Sequence, residues 1–132
     1  MAFIKKFEDI TAWQKARVLT REIYATSRKG LFSRDYGLRD QIRKASVSIM
    51  ANIAEGFGRE GDKEFRQFLG HAKGSASEVE SHLYVALDAE FIGQDEFERL
   101  YELALETQKL IAGFIAYLNR SRIGGMKFKG RP

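Results

Sequence analysis

The chain has 132 residues, a formal net charge of +4 and no cysteine, with 44% hydrophobic and 30% charged residues. This length suits a single domain that can bury a core, and this composition excludes disorder over most of the chain. The absence of cysteine excludes a disulfide scaffold, a thiol nucleophile and every cysteine-ligated metal site.

Neither a membrane span nor a secretory signal is predicted. The longest apolar stretch covers residues 110–118, whereas a membrane-spanning helix needs about 20 such residues. Near the start, Lys5, Lys6, Glu8 and Asp9 leave no room for the apolar region of a signal peptide. We therefore expect a cytoplasmic protein.

Four segments carry the apolar repeat of an amphipathic helix. The single proline is Pro132, and a proline-free body favours long uninterrupted helices. In chain order, we predict helices over residues 10–27 with Asp9 as N-cap, 38–54 or 38–57, 62–90 with Asp62 as N-cap, and 94–119. Short turns between them predict an all-α, up-down antiparallel four-helix bundle over residues 1–119. Residues 120–132 are predicted to be a disordered basic tail.

Charge is segregated along the chain. Residues 1–59 hold 12 Lys and Arg against 6 Asp and Glu, residues 60–119 hold 5 against 12, and the tail holds five cations and no acid. Basic and acidic helices could simply lie beside each other within one bundle. Alternatively, the basic face of one copy meets the acidic face of the next in a cyclic homo-oligomer, and the remaining cations attract a polyanion such as RNA.

The basic residues of the first two helices and the tail form the candidate nucleic-acid site. Helical spacing places Arg17, Arg21 and Arg28 on one stripe, and Arg39 with Arg43 on another. Recognition through such residues should depend on charge and shape rather than on base sequence. The full set is Arg17, Arg21, Arg28, Arg39, Arg43, Lys44, Arg59, Lys127, Lys129 and Arg131.

A glycine-rich segment follows the second predicted helix. Residues 56–61 match the pattern GxGxxG, but no strand precedes them, which argues against a dinucleotide-binding loop. We predict a tight turn that needs positive φ at Gly56 or Gly58, with a weak anion site beside Arg59 as the alternative. Asn52 and Glu55, just before this turn, are predicted to be structural, with Asn52 fixing the turn by a hydrogen bond; a binding role is the alternative.

No motif indicates catalysis. His71 and His82 lie about three helical turns apart, which is too far to share one metal ion. The serines lack the G-x-S-x-G pattern of a nucleophile elbow. We therefore predict no catalytic residue, no metal, no cofactor and no small-molecule substrate.

Three segments resemble a known family. Residues 36–59, YGLRDQIRKASVSIMANIAEGFGR, are similar to the signature of the bacterial 23S rRNA intervening-sequence proteins, in which the run NIAEG is fairly specific. Residues 7–24 and 64–83 resemble the first and third helices of that family, so that the resemblance spans about residues 7–119.

The resemblance implies a four-helix bundle that assembles as a homopentameric ring and is often encoded within insertions of ribosomal RNA genes. Similar pentamers, the accessory variability proteins of diversity-generating retroelements, bind a reverse transcriptase and its RNA, and the family is not known for catalysis. We therefore expect a non-enzymatic oligomeric adaptor that binds RNA or a ribonucleoprotein, with a reverse transcriptase as a candidate partner. The alternative is a ring-shaped protein-interaction scaffold without direct nucleic-acid binding.

Overall fold

Four long helices make up most of the protein. The computed structural model describes residues 4–120, and these contain no strand. The helices are α1 (Thr11–Ser27), α2 (Tyr36–Phe57), α3 (Asp62–Asp88) and α4 (Gln94–Arg120), and short 3-10 helices cover Phe7–Asp9 and Gly30–Arg34. The four predicted helices are confirmed, with ends shifted by one or two residues.

The helices pack in a closed square. Each helix contacts its sequence neighbours, and α4 closes the square against α1. Since the connections are short, neighbouring helices run antiparallel, which confirms the up-down four-helix bundle. One end of the bundle carries the 3-10 helix Gly30–Arg34 and the α3–α4 turn. The α2–α3 turn, the N-terminal segment and the last turn of α4 lie at the other end.

The apolar stripes meet along the bundle axis. A buried Leu, Ile or Phe side chain contributes about 1.5–3 kcal/mol to folding, so these residues hold the four helices together. The largest fully buried side chains are those of Leu19, Ile23, Phe32, Ile42, Ile49, Ile53, Phe65, Leu69, Leu83, Leu100, Ile111 and Leu118.

The helix N-termini differ from the prediction at both predicted caps, and the one side-chain cap among α1, α2 and α3 is at a residue that was not predicted. The side chain of Asp35 caps α2 by accepting a hydrogen bond from the Leu38 backbone N–H at 3.0 Å. Asp9 belongs instead to the first 3-10 helix, and Ile10 occupies the N-cap of α1. Asp62 is the first residue of α3, and its N-cap is Gly61. The predicted caps at Asp9 and Asp62 are therefore wrong.

The positive φ angle also falls elsewhere than predicted. Gly56 lies inside α2, and Gly58 has a φ of −76°, in the ordinary helical region. Gly61 has a φ of 95°, and this residue changes the chain direction between α2 and α3. Only glycine adopts that angle without strain. The predicted left-handed turn exists, but at the last glycine of the segment rather than at the first two.

Gly56 serves helix packing instead. A Cβ at this position would lie 2.7 Å from the Phe68 Cβ and 3.0 Å from the Phe65 Cδ1. The absence of a side chain at Gly56 thus allows α2 and α3 to approach closely at this end of the bundle.

Asn52 has a structural hydrogen-bonding role, although not the predicted one. Its Nδ2 donates to the Ser48 carbonyl at 2.9 Å and to the Ser48 Oγ at 3.0 Å. Ser48 Oγ also accepts from Ser75 Oγ of α3 at 3.0 Å. Asn52 therefore supports a polar link between the middles of α2 and α3, one turn before its own position, and does not fix the turn after α2.

The predicted basic tail falls almost entirely outside the described residues. Arg120, its first residue, belongs to the last turn of α4.

Candidate nucleic-acid interface

Three exposed arginines line one side of α1. Arg17, Arg21 and Arg28 are exposed, and their guanidinium groups make no hydrogen bond or ion pair with any described residue. The Arg17 guanidinium lies 5.9 Å from the centre of the Trp13 ring. Tyr24 follows Arg17 by seven residues and so points in nearly the same direction. The predicted arginine stripe of α1 therefore lies on the side where Tyr24 meets α2.

Two arginines of α2 lie at the same seam, and both are half-buried. The Arg43 guanidinium lies 4.7 Å from the centre of the Tyr24 ring, and its Nε donates to Ser27 Oγ at 2.8 Å. Arg39 lies one turn earlier on α2, so its side chain follows the same side of the helix. The structure thus brings both predicted arginine stripes to one surface, which we call the arginine face: Arg17, Arg21, Arg28, Arg39 and Arg43.

The arginine face carries a large excess of positive charge. Among the described residues, the carboxylate of Asp40 is the one acid that pairs with any of its five guanidinium groups, at 2.9 Å from the Arg39 Nε. Arginine forms bidentate contacts with phosphate oxygens, and a cluster of unpaired cations attracts a polyanion. The surface can therefore bind phosphate groups at several points.

Some basic and acidic residues do pair within the bundle, but not at this face. Lys15 of α1 lies 3.7 Å from Glu106 of α4, and Glu22 of α1 pairs with Arg99 of α4. These contacts join α1 to α4 on the side away from α2. Basic and acidic side chains therefore pair within one bundle between α1 and α4, whereas the arginine face takes no part in these pairs.

Lys44 and Arg59 lie away from the arginine face. Lys44 is exposed and lies one turn before Ser48, the residue that contacts α3, so it points to the α2–α3 side. Arg59 follows the end of α2, where it pairs with Glu55 at 2.7 Å and lies 3.9 Å from Glu64 and 5.0 Å from the Phe68 ring. The carboxylates around Arg59 disfavour an anion there. Glu55 thus has an ion-pairing role on the surface.

The predicted tail residues Lys127, Lys129 and Arg131 lie outside the described residues.

Two tyrosines at the arginine face were not among the predicted site residues. Tyr36 is 66% exposed and Tyr24 is 38% exposed, and the Arg39 guanidinium lies 4.8 Å from the centre of the Tyr36 ring. The sequence signal was the interleaving of tyrosine and arginine at helical spacing. Their pairing across the α1–α2 seam depends on the register of the two helices.

The opposite side of the bundle is acidic and aromatic. The Tyr84 ring of α3 lies near the rings of Phe97 and Tyr101 of α4, with ring centres 4.9 and 5.6 Å away. Burial raises the pKa of the neighbouring Glu80 carboxyl, and its Oε2 is buried without a hydrogen-bond partner. Removal from water, the nearby Glu80 and a hydrogen bond with Tyr84 raise the pKa of the Tyr101 hydroxyl. Residues 60–119 hold 12 Asp and Glu against 5 Lys and Arg, so the α3–α4 side disfavours a polyanion.

An apolar groove of about 620 Å³ lies between the start of α1 and the second half of α4. Asp9 and Lys109 contribute one charge of each sign, and its apolar lining includes Ile10, Leu110, Phe114 and Tyr117. Among residues 4–120, no three His, Asp or Glu side chains cluster as metal ligands would, and no helix is long and apolar enough to cross a membrane.

Comparisons with known proteins agree with this architecture. The model of a family described as 23S rRNA-intervening sequence protein matches residues 8–113. A solved protein of unknown function from the S23 ribosomal protein family of Bacteroides thetaiotaomicron VPI-5482 has a TM-score of 0.73 and 23% identity, covering 80% of this chain and 98% of its own. That identity supports the shared fold alone. No curated protein matches the chain.

Proposed function

The chain belongs to the 23S rRNA-intervening sequence protein family, and we propose that it is a non-enzymatic helical-bundle adaptor that binds RNA or a ribonucleoprotein through its arginine face. The proposal includes a cytoplasmic location and assembly into a cyclic homo-oligomer, for which the family resemblance implies five copies. The basic tail, with Lys127, Lys129 and Arg131, would add to RNA affinity, and a reverse transcriptase is one candidate protein partner.

A single observation carries the proposal: five arginines from two helices share one surface, and only one of them pairs with an acid among the described residues. The family name adds an RNA context. Each cation that neutralises a phosphate releases counterions, so such a surface binds RNA with an affinity that falls steeply with salt. Contacts to phosphate carry no sequence information, so binding through this surface should depend on charge and shape.

The direct test is a filter-binding titration of the full-length protein with a structured RNA at about 50 and 200 mM salt. Reversing the charge of three exposed arginines, with Arg17→Glu, Arg21→Glu and Arg28→Glu, should weaken RNA binding at least tenfold. It should also reduce the salt dependence, since each phosphate contact contributes about one unit to the slope of the logarithm of affinity against the logarithm of salt concentration.

The matched control reverses three exposed lysines of the other helices, Lys63→Glu, Lys73→Glu and Lys109→Glu. It changes net charge by the same amount but leaves the arginine face intact, so RNA affinity should fall much less. Equal losses in the two variants would mean that affinity follows total charge rather than this face. Absence of binding by the unmodified protein at 50 mM salt would refute RNA binding.

The alternative function, a protein-interaction scaffold, is favoured by a different observation. Tyr84 and Val85 are 51% and 49% exposed on α3, and such apolar side chains contribute to protein contacts. Deletion of residues 120–132 separates the two functions: loss of RNA affinity supports the adaptor, whereas partner capture that needs neither tail nor RNA supports the scaffold.

A further inference from the structure

Two arginines of the arginine face stack on tyrosine rings, and we call these pairs the tyrosine–arginine stacks. The guanidinium of Arg43 lies 4.7 Å from the centre of the Tyr24 ring, and that of Arg39 lies 4.8 Å from the centre of the Tyr36 ring. Arginine stacks on aromatic faces through both cation–π attraction and planar contact. Since 66% of Tyr36 and 38% of Tyr24 remain exposed, each stack leaves aromatic surface open to solvent.

Hydrogen bonds hold both arginines in place. Arg43 donates from Nε to Ser27 Oγ, and Arg39 donates from Nη1 to the Ser33 carbonyl at 3.0 Å and from Nε to Asp40. A guanidinium has five N–H donors, so each keeps donors for a ligand. Because the side chains are already ordered, binding loses little conformational entropy.

Flat aromatic surface beside fixed positive charge is the arrangement that binds unpaired nucleotides. Bases of a single strand stack on aromatic side chains and arginine planes while their phosphates meet basic groups. In a duplex, the base faces are covered by neighbouring base pairs, so exposed tyrosines cannot stack on them. Protein interfaces use the same residue types, but the excess of positive charge around these two tyrosines favours a polyanion.

We infer that the arginine face binds unpaired nucleotides, with bases stacked on Tyr36 and Tyr24 and phosphates held by the neighbouring arginines. This inference rests on the proposed function, and it names the kind of RNA: loops, bulges or single strands rather than continuous duplex.

The test compares two fluorescein-labelled RNAs by polarisation with the full-length protein, a 12-nucleotide single strand and the blunt duplex that contains it. Replacement of both tyrosines, Tyr24→Leu with Tyr36→Leu, should weaken single-strand binding about tenfold or more, since stacking on an aromatic side chain contributes about 1–3 kcal/mol per base. Duplex binding should change less than about twofold, because the charges are unchanged.

Two control variants separate stacking from other effects. Tyr84→Leu removes a comparably exposed tyrosine from the acidic side and should leave both affinities unchanged. Tyr24→Phe with Tyr36→Phe keeps the rings and should retain single-strand binding within about twofold. Circular dichroism and thermal melting check that each variant folds.

The outcomes distinguish this inference from the proposed function. Equal losses of affinity for both RNAs, or no loss for either, would overturn stacking while RNA binding by the arginines stands. If the unmodified protein binds neither RNA, the proposed function itself is wrong and the inference is overturned with it.

Discussion

At the scale of single residues, Gly56 determines how closely two helices approach. A methyl group there would lie 2.7 Å from the Phe68 Cβ, a distance that real Cβ atoms essentially never show. Phe68 cannot turn away from this contact, because the conflict involves its Cβ rather than the end of its ring. The glycine is therefore required by packing, since its backbone is ordinary helix.

Replacing Gly56 with Ala should destabilise the protein by up to about 2 kcal/mol, because an overpacking cost of about 1–3 kcal/mol is offset by a gain in helix propensity of about 1 kcal/mol. Urea unfolding followed by circular dichroism measures the difference. The matched control is Gly74→Ala in α3, where a Cβ meets nothing within 4 Å. That variant should be stabilised by up to about 1 kcal/mol. Stabilisation by Gly56→Ala would show that α2 and α3 can separate at little cost.

At the scale of helices, the first residues of each element decide where it begins. Asp35 accepts the Leu38 N–H and so satisfies one of the free donors at the start of α2. Asp9 makes no capping bond to α1, although both aspartates precede an apolar helical pattern.

Asp35→Ala should therefore cost about 1 kcal/mol of stability, whereas Asp9→Ala should change stability by less than about 0.5 kcal/mol. Chemical denaturation of the two variants provides the comparison, and each serves as the other's control because both remove one carboxylate. Equal costs would contradict the capping role of Asp35.

The helices were predictable because their apolar stripes repeat over many turns, and Ile42, Ile49 and Ile53 are all buried as that repeat requires. Helix caps were less predictable. Asp62 has a residue type that is common at N-caps, but the N-cap of α3 is the preceding residue, Gly61, which has a φ of 95°. The arginine stripe of α1 followed from spacing alone. The stacks on Tyr24 and Tyr36 did not, because they depend on the side-chain conformations of Arg43 and Arg39 and on which turn of α2 faces Tyr24.

At the scale of the whole molecule, the arginine face and the acidic α3–α4 side could meet in neighbouring copies, or the arginine face could remain free for RNA. The native mass of the protein after nuclease treatment reports the assembly. We expect a multiple of 15.1 kDa, and a single-subunit mass would contradict assembly.

Because the proposed function assigns the arginine face to RNA, Arg17→Glu, Arg21→Glu and Arg28→Glu together should leave that mass unchanged. A fall to the subunit mass would place the arginines between copies instead. Repeating the measurement at about 1 M salt, where exposed charges separated by more than about 3 Å are screened, separates charge-driven from apolar contacts.

The up-down arrangement has a practical consequence for the binding assays. Ile4 and Arg120, the first and last described residues, both lie at the end of the bundle remote from Tyr36, across helices of roughly 40 Å. The described chain therefore begins and ends at the end of the bundle far from the tyrosine–arginine stacks. A tether fixed at Ile4 or Arg120 would leave Tyr36 and Arg39 at the opposite end, so tethered and free protein can be compared without blocking the tyrosine–arginine stacks.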